Sequence, residues 1–325
     1  MAADVLSDLL RTVRLTGATF FDVAAKDPWA VDSMPREMIL PKVLLGANHL
    51  IAYHVVTKGR CFATIINGEP IALEAGEVVV FAHGDPHVMS SSPGMPAVPA
   101  GPEALAAATA SQLPFLINCG GGDGPASTKL VCGYLACDAR PFNPLLENLP
   151  RVIKSGDPSG SDPGWLGQFI RLAVAESTDK RAGGESVLAK LSELMFIEVV
   201  RRYLESLPPE QAGWLAGLRD PFVGKALSLM HGGAAQSWTI EELATQVGLS
   251  RSVLAERFMD FVGIPPMQYL AKWRMQIASE LLNSGNANVA AIAAEIGYES
   301  EAAFSRAFKK MMGVPPSAWR RRSSV

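Results

Sequence analysis

Apolar positions along this chain recur first with period two and then with period 3.6, and the change falls near residue 141. Residues 43–88 carry short β-branched and aromatic runs, "HLIAYHVVTKG", "CFATIINGEPIAL" and "GEVVVFAHGDPH", separated by turn residues. This spacing predicts an antiparallel barrel or sandwich, with Asn67-Gly68 and Ala75-Gly76 as hairpin turns. The next stretch, "SSPGMPAVPAGPEALAAATASQ", is rich in Pro, Ala, Ser and Gly and predicts a long loop. Strand composition returns in "GGGDGPASTKLVCGYLACD", where alternation aims Leu130, Cys132, Tyr134 and Ala136 at one face.

Beyond residue 141, "GWLGQFIRLAVAEST" and "ESVLAKLSELMFIEVVRRYLESL" place apolar residues at i, i+3, i+4 and i+7, the signature of amphipathic helices. Leu188, Leu191, Leu194, Met195 and Val199 form a stripe on the second helix. It serves either packing within the chain or a two-fold dimer interface. Pro208-Pro209 ends that helix and opens a hinge. Three segments follow: 1–140 as a β-rich domain, 141–212 as a helical linker that pairs two copies, and 213–325 as an all-helical domain.

The last segment contains a duplication. "EELATQVGLSRSVLAERFMDFVGIPP" (241–266) aligns with "AIAAEIGYESEAAFSRAFKKMMGVPP" (291–316). Leu243-Ala244 matches Ile292-Ala293, Gly248 matches Gly297, Ser250 matches Ser300, Phe258 matches Phe308 and Gly263 matches Gly313. Each copy reads as a short helix, a glycine turn, a Ser N-cap and a second helix, which is a helix-turn-helix. Between the copies, "MQYLAKWRMQIASELLNSG" reads as one long helix. A spacer of that length suits two recognition helices about 34 Å apart, one repeat of DNA.

Composition sharpens this picture in two places. Net charge is −3 over 325 residues, but from Ala216 onward there are 12 Lys and Arg against 9 Asp and Glu, leaving 17 against 23 for the rest. A mildly basic tail on an acidic body fits a C-terminal part that meets an anionic partner. Four cysteines, Cys61, Cys119, Cys132 and Cys137, are too few and scattered for a disulfide framework. No apolar run approaches the roughly 18 residues of a membrane span, so a soluble, cytoplasmic protein with no membrane partner is expected.

The region from about 216 to 322 resembles the DNA-binding domain of the AraC/XylS family of bacterial transcription regulators. The resemblance implies double-stranded DNA as partner. From helical position, the first recognition helix presents Arg251, Ser252, Ala255 and Glu256, and the second presents Ser300, Ala302, Ser305, Arg306 and Lys309. Arg306 is the candidate base reader, since a guanidinium reaches guanine O6 and N7 together. Arg251 and Lys309 are candidate phosphate contacts. Glu256 either accepts from cytosine N4 or leaves its helix dependent on DNA shape.

Residues 5–140 resemble the cupin-like sensor domain of one branch of that family, through "YHVVTKG", "LEAGEVVVFAHGDPH" and "GGGDGPASTKLVCGYLACD". Enzymatic cupins hold a metal with an H-x-H pair, an acidic residue and a later histidine. Here H-x-H is absent, and only His87 falls where such a ligand would. His54, His87 and Cys132, with His83 as a possible fourth, form a candidate zinc or copper site. The competing readings are histidines hydrogen-bonded in a barrel wall, and a redox site at Cys132 or Cys61.

The expected whole is an α+β multidomain transcription regulator: a cupin-like barrel taking a small-molecule, metal or oxidant signal, a dimerising helical linker, and a double helix-turn-helix domain that contacts DNA and RNA polymerase. The alternative is a metal-dependent cupin enzyme with a helical appendage.

Overall fold

A computed structural model describes residues 4–13, 15–34, 36–37, 39, 47–98, 115–137, 142–156, 164–179, 181–208, 213–284 and 287–323. In chain order its elements are α1 (Val5–Val13), β1 (Thr16–Ala25), β2 (Ala30–Asp32), β3 (His49–Lys58), β4 (Arg60–Ile65), β5 (Ile71–Glu74), β6 (Glu77–Phe81), β7 (His87–Ser90), β8 (Phe115–Cys119) and β9 (Thr128–Cys137). Then come α2 (Pro144–Asn148), β10 (Val152–Gly156), α3 (Gly164–Asp179), α4 (Gly184–Ser206), α5 (Trp214–Gly217), α6 (Val223–Gly232), α7 (Ile240–Val247), α8 (Arg251–Val262), α9 (Pro266–Ser284), α10 (Val289–Glu295), α11 (Glu301–Met312) and α12 (Pro316–Ser323).

Two compact units result. One comprises 15–138 and 150–206, the other 1–14, 139–149 and 207–325. The segment 141–212 is therefore shared between them, with α3 and α4 in the β-rich unit. Most of the expected loop, 99–112, lies outside the described residues.

The β-rich unit is a pair of sheets, ordered β10-β6-β3-β9-β1-β8 and β2-β7-β4-β5. Period-two alternation sorts the side chains of the larger sheet. Leu50, Ala52 and Val56 of β3, with Leu130, Cys132, Tyr134 and Ala136 of β9, face an interior shared with Cys61, Ala63, Leu73 and Met89 of the smaller sheet. The intervening residues Tyr53, Val55 and Val131 face the other way and meet Phe169, Ile170 and Leu188 of α3 and α4. Burial on both sides is why β9 is almost continuously buried and reads as more than simple alternation. Tyr53 and Ser192 share a buried hydroxyl-to-hydroxyl hydrogen bond of 2.6 Å that ties α4 to the sheet.

The structure corrects two expectations here. Asn67-Gly68 is a hairpin turn, with Asn67 at φ 61° between the paired strands β4 and β5. Ala75-Gly76 is not: β5 and β6 belong to different sheets, and Gly76 at φ 94° carries the chain from one layer to the other. The leucine stripe on α4 is also divided. Leu188, Met195 and Val199 are buried within the unit, Leu191 is half-buried, and Leu194 remains 46% exposed.

The helical unit builds on α9, whose buried face carries Tyr269, Trp273, Met275 and Gln276. Helix α1 contacts α6 and α9, with Val5 and Leu9 buried. Phe142 donates its N–H to Gln276 Oε1 at 3.1 Å and meets the Tyr269 ring edge-on at 5.5 Å.

Candidate nucleic-acid interface and ligand cavity

Each helix-turn-helix is built by the same local code. In the first, Thr239 and Glu242 form a capping box at α7, Gly248 turns left-handed at φ 85°, and the Ser250 hydroxyl accepts from the Val253 N–H to start α8. In the second, Asn288 caps α10, Gly297 turns at φ 81°, and the Ser300 hydroxyl accepts from the Ala303 N–H at 3.2 Å. Matching six-residue closures, Leu249 N–H to Ala244 O and Tyr298 N–H to Ala293 O, both 2.9 Å, fix the turns. Gly263 and Gly313 end α8 and α11 in the same left-handed conformation.

Leu254 and Phe258 bury one face of α8, and Phe304 and Phe308 bury the matching face of α11. The opposite faces are exposed. On α8 they carry Ser252, Glu256, Met259 and Asp260; on α11 they carry Ala302, Arg306, Lys309 and Lys310. Ala255 and Ser305 are half-buried at the edge of these faces, and Ser300 is occupied as a cap. Lys310 escaped the sequence reading although the helical period would have found it.

The two faces differ in how their cations are committed. Arg251 pairs with Glu241 of the preceding helix at 2.8 Å, and Arg257 reaches the Asp220 carboxylate, Nε to Oδ1 at 3.1 Å. Arg306, Lys309 and Lys310 make no ion pair with a described residue.

Within the β-rich unit lies a cavity of about 350 Å³. Its lining comes from both sheets and includes Phe21, Trp29, Val31, Met89, Ile117, Leu130 and Tyr134, none of which the sequence singled out as a site residue. His54, His87 and Cys132 line it too. His54 points inward because it keeps the alternation of Ala52 and Val56, and it stands opposite Cys132 in the β3–β9 register. His87 opens β7 on the facing sheet, its N–H held by Ser33 Oγ at 3.0 Å and its ring stacked on Phe81 at 3.6 Å.

The two imidazoles meet across the interior, Nε2 to Nε2 at 2.7 Å. His87 Nδ1 lies 2.8 Å from the Asp85 carbonyl, which can only accept, so this nitrogen carries the proton. Neutral His87 then offers a bare Nε2, and His54 donates to it. That assignment follows from the network and leaves His54 with a lone pair at Nδ1, which is buried without a partner. Burial, aided by the neighbouring His87, holds His54 well below the usual imidazole pKa; burial takes His87 down to about 4 against the opposing pull of Asp85. Both rings are neutral near pH 7.

His83 is not part of this group. It does not line the cavity, and its ring stands 5.9 Å from that of His49, whose Nε2 donates to the Ala82 carbonyl at 2.7 Å. Among the described residues, no three His, Cys, Asp or Glu side chains are placed to hold a metal ion. Burial raises the Cys132 thiol well above its usual value and pushes Cys119 up to about 11 and Cys61 up to about 12. Thiols held protonated in this way are weak nucleophiles.

No helix among the described residues is long and apolar enough to cross a membrane. A cupin family model matches residues 4–205 and a helix-turn-helix domain model matches residues 243–322. A protein of Streptomyces lividans described as an AraC-like transcription regulator is 30% identical over 324 residues, covering 99% of each chain. One of Streptomyces antibioticus with the same description is 31% identical over 320 residues, covering 98% of each. The transcriptional regulator AlkR of Acinetobacter baylyi is 27% identical over 98% of this chain and 100% of its own. With its cupin domain ahead of a doubled, capped helix-turn-helix, the chain belongs to the AraC-like transcription regulators.

Proposed function

We propose that this regulator binds a specific DNA sequence through α8 and α11 under the control of a small molecule held in the cavity of the β-rich unit. The observation that carries the reading is the co-occurrence, in one chain, of a cavity of about 350 Å³ and two recognition helices of which one leaves three cations uncommitted. Arg306 reads a base edge, Lys309 and Arg251 meet phosphates, and Ser252, Ala255, Glu256, Ala302 and Ser305 complete the faces. Control requires the effector to bind two arrangements of the protein with different affinity. The exposed Leu172, Val187 and Leu194 of α3 and α4 support pairing of two copies. RNA polymerase is the further partner of such a dimer.

The test is DNA binding by the full chain, with operator fragments selected from random sequence and salt varied. Selective binding whose affinity falls linearly on a log-log salt scale supports the regulator. Equal affinity for all sequences sinks it. Turnover of a small substrate that disappears in His87→Ala would favour the enzyme instead. For pairing, Leu194→Glu is expected to shift a dimer to monomer in sedimentation without loss of helix; an unchanged mass would place the interface elsewhere.

A further inference from the structure

The described lining of the cavity contains no Lys or Arg, and Asp32 is its one carboxylate side chain. Apart from Asp32, the histidines and cysteines of the lining are neutral, since burial keeps His54 and His87 unprotonated and Cys132 and Cys119 protonated. The remaining wall is apolar, with Phe21, Trp29, Val31, Met89, Leu130 and Tyr134. Two lining residues hold buried atoms without a described partner, the donor Trp29 Nε1–H and the acceptor His54 Nδ1.

From this lining we infer that the effector is an uncharged, largely apolar molecule bearing a hydroxyl, and not a carboxylate; the inference rests on the cavity being the effector site. A carboxylate would leave water for a space whose described lining offers no counter-ion and sets Asp32 on its wall, which is strongly unfavourable. A hydroxyl both donates and accepts, so it complements either orphaned atom. An apolar cavity of about 150 Å³ holds benzene. The space here is about twice as large and suits roughly 10–15 non-hydrogen atoms by that scaling.

The probes are two shape-matched pairs, 2-naphthol with 2-naphthoate and 1-decanol with decanoate, together with 2-naphthylmethylamine as the cation, titrated calorimetrically into the full-length protein at pH 7.5. At least one neutral probe is expected to bind, with its carboxylate partner on the order of 100-fold weaker. Val31→Lys, which sets an ammonium on the wall, is expected to bring the carboxylate to within about tenfold of the alcohol; that gain also shows that the variant is folded. The inference is overturned if a carboxylate or the amine binds within tenfold of the alcohol in the natural protein. It is equally overturned if no neutral probe binds. Operator affinity with and without the bound alcohol is read separately. Unchanged affinity would sink control by this cavity while the ligand class stands, and intact selective DNA binding without any probe binding would sink the ligand class alone.

Discussion

The two helix-turn-helix copies share one skeleton and present opposite chemistry. Glu256 and Arg306 occupy the centre of the exposed face at equivalent positions, and Asp260 stands where the second copy has Lys310. Over the whole helix, α8 balances Arg251 and Arg257 against Glu256 and Asp260, whereas α11 sets Arg306, Lys309 and Lys310 against Glu301 alone. Both arginines of α8 are also tied to protein carboxylates, Arg257 with its guanidinium 5.5 Å and 5.7 Å from the Phe222 and Phe261 ring centroids. Duplication preserved what folds the motif, namely caps, turn glycines and buried aromatics. It released what touches a partner. On the proposed reading, the second copy anchors on DNA and the first discriminates with little net attraction.

Four measurements bear on this comparison. The largest effect is expected in the turns. Gly248 and Gly297 share a left-handed conformation, but a Cβ on Gly248 meets nothing within 4 Å while one on Gly297 would sit 2.3 Å from the Ala235 carbonyl. Gly297→Ala should therefore cost about 2–4 kcal/mol in chemical denaturation, against about 1 kcal/mol for Gly248→Ala. Equal losses would mean the two turns are equivalent after all.

Arg306→Ala comes next, with about 1–3 kcal/mol lost on the selected operator and relaxed preference at one base position. A loss that is the same on every sequence would reduce Arg306 to a phosphate contact. Lys309→Ala should weaken binding to all sequences alike and lower the salt slope by about 1; sequence-dependent loss would give it a reading role. The smallest effect belongs to Glu256→Gln, which removes a negative charge from the exposed face of α8. We expect binding to non-specific DNA to improve by less than about 1 kcal/mol, with discrimination at one position reduced. A strong loss on all DNA would show that Glu256 supports the fold of α8.

The helical unit was the more legible part because its determinants are local. A turn glycine, a Ser cap and an apolar residue every three or four positions all lie within about 25 residues, so one window holds the whole code. The cavity has no such window. His54 and His87 lie 33 residues apart and meet only because facing sheets bring them together. Trp29, Ile117 and Cys119 carry no local mark of lining a cavity. The sequence groups His54, His87 and Cys132, with His83, as a candidate metal site; the first three line the cavity, whereas the His83 ring stands beside His49. Strands β1 and β10 were missed for a related reason. "TGATFFDVAA" mixes small residues into its alternation, and "VIKSG" is short and lies in a stretch that otherwise reads as helical. The stripe on α4 leaves packing and pairing both open, because periodicity reports which face is apolar and not what covers it.

The helical unit draws on three separate stretches of chain, and that has a practical meaning for anyone dividing the protein. A fragment beginning at residue 213 would keep both recognition helices, yet it would lack Leu9, which is fully buried in this unit, and the Phe142 N–H that satisfies Gln276. Gln276 would be left with an unanswered amide oxygen, and the seat of α1 would open to water. Such a fragment invites aggregation, and its weakened DNA binding would be mistaken for a need for the effector. A linear boundary chosen by motif is thus a poor guide to where this molecule can be cut.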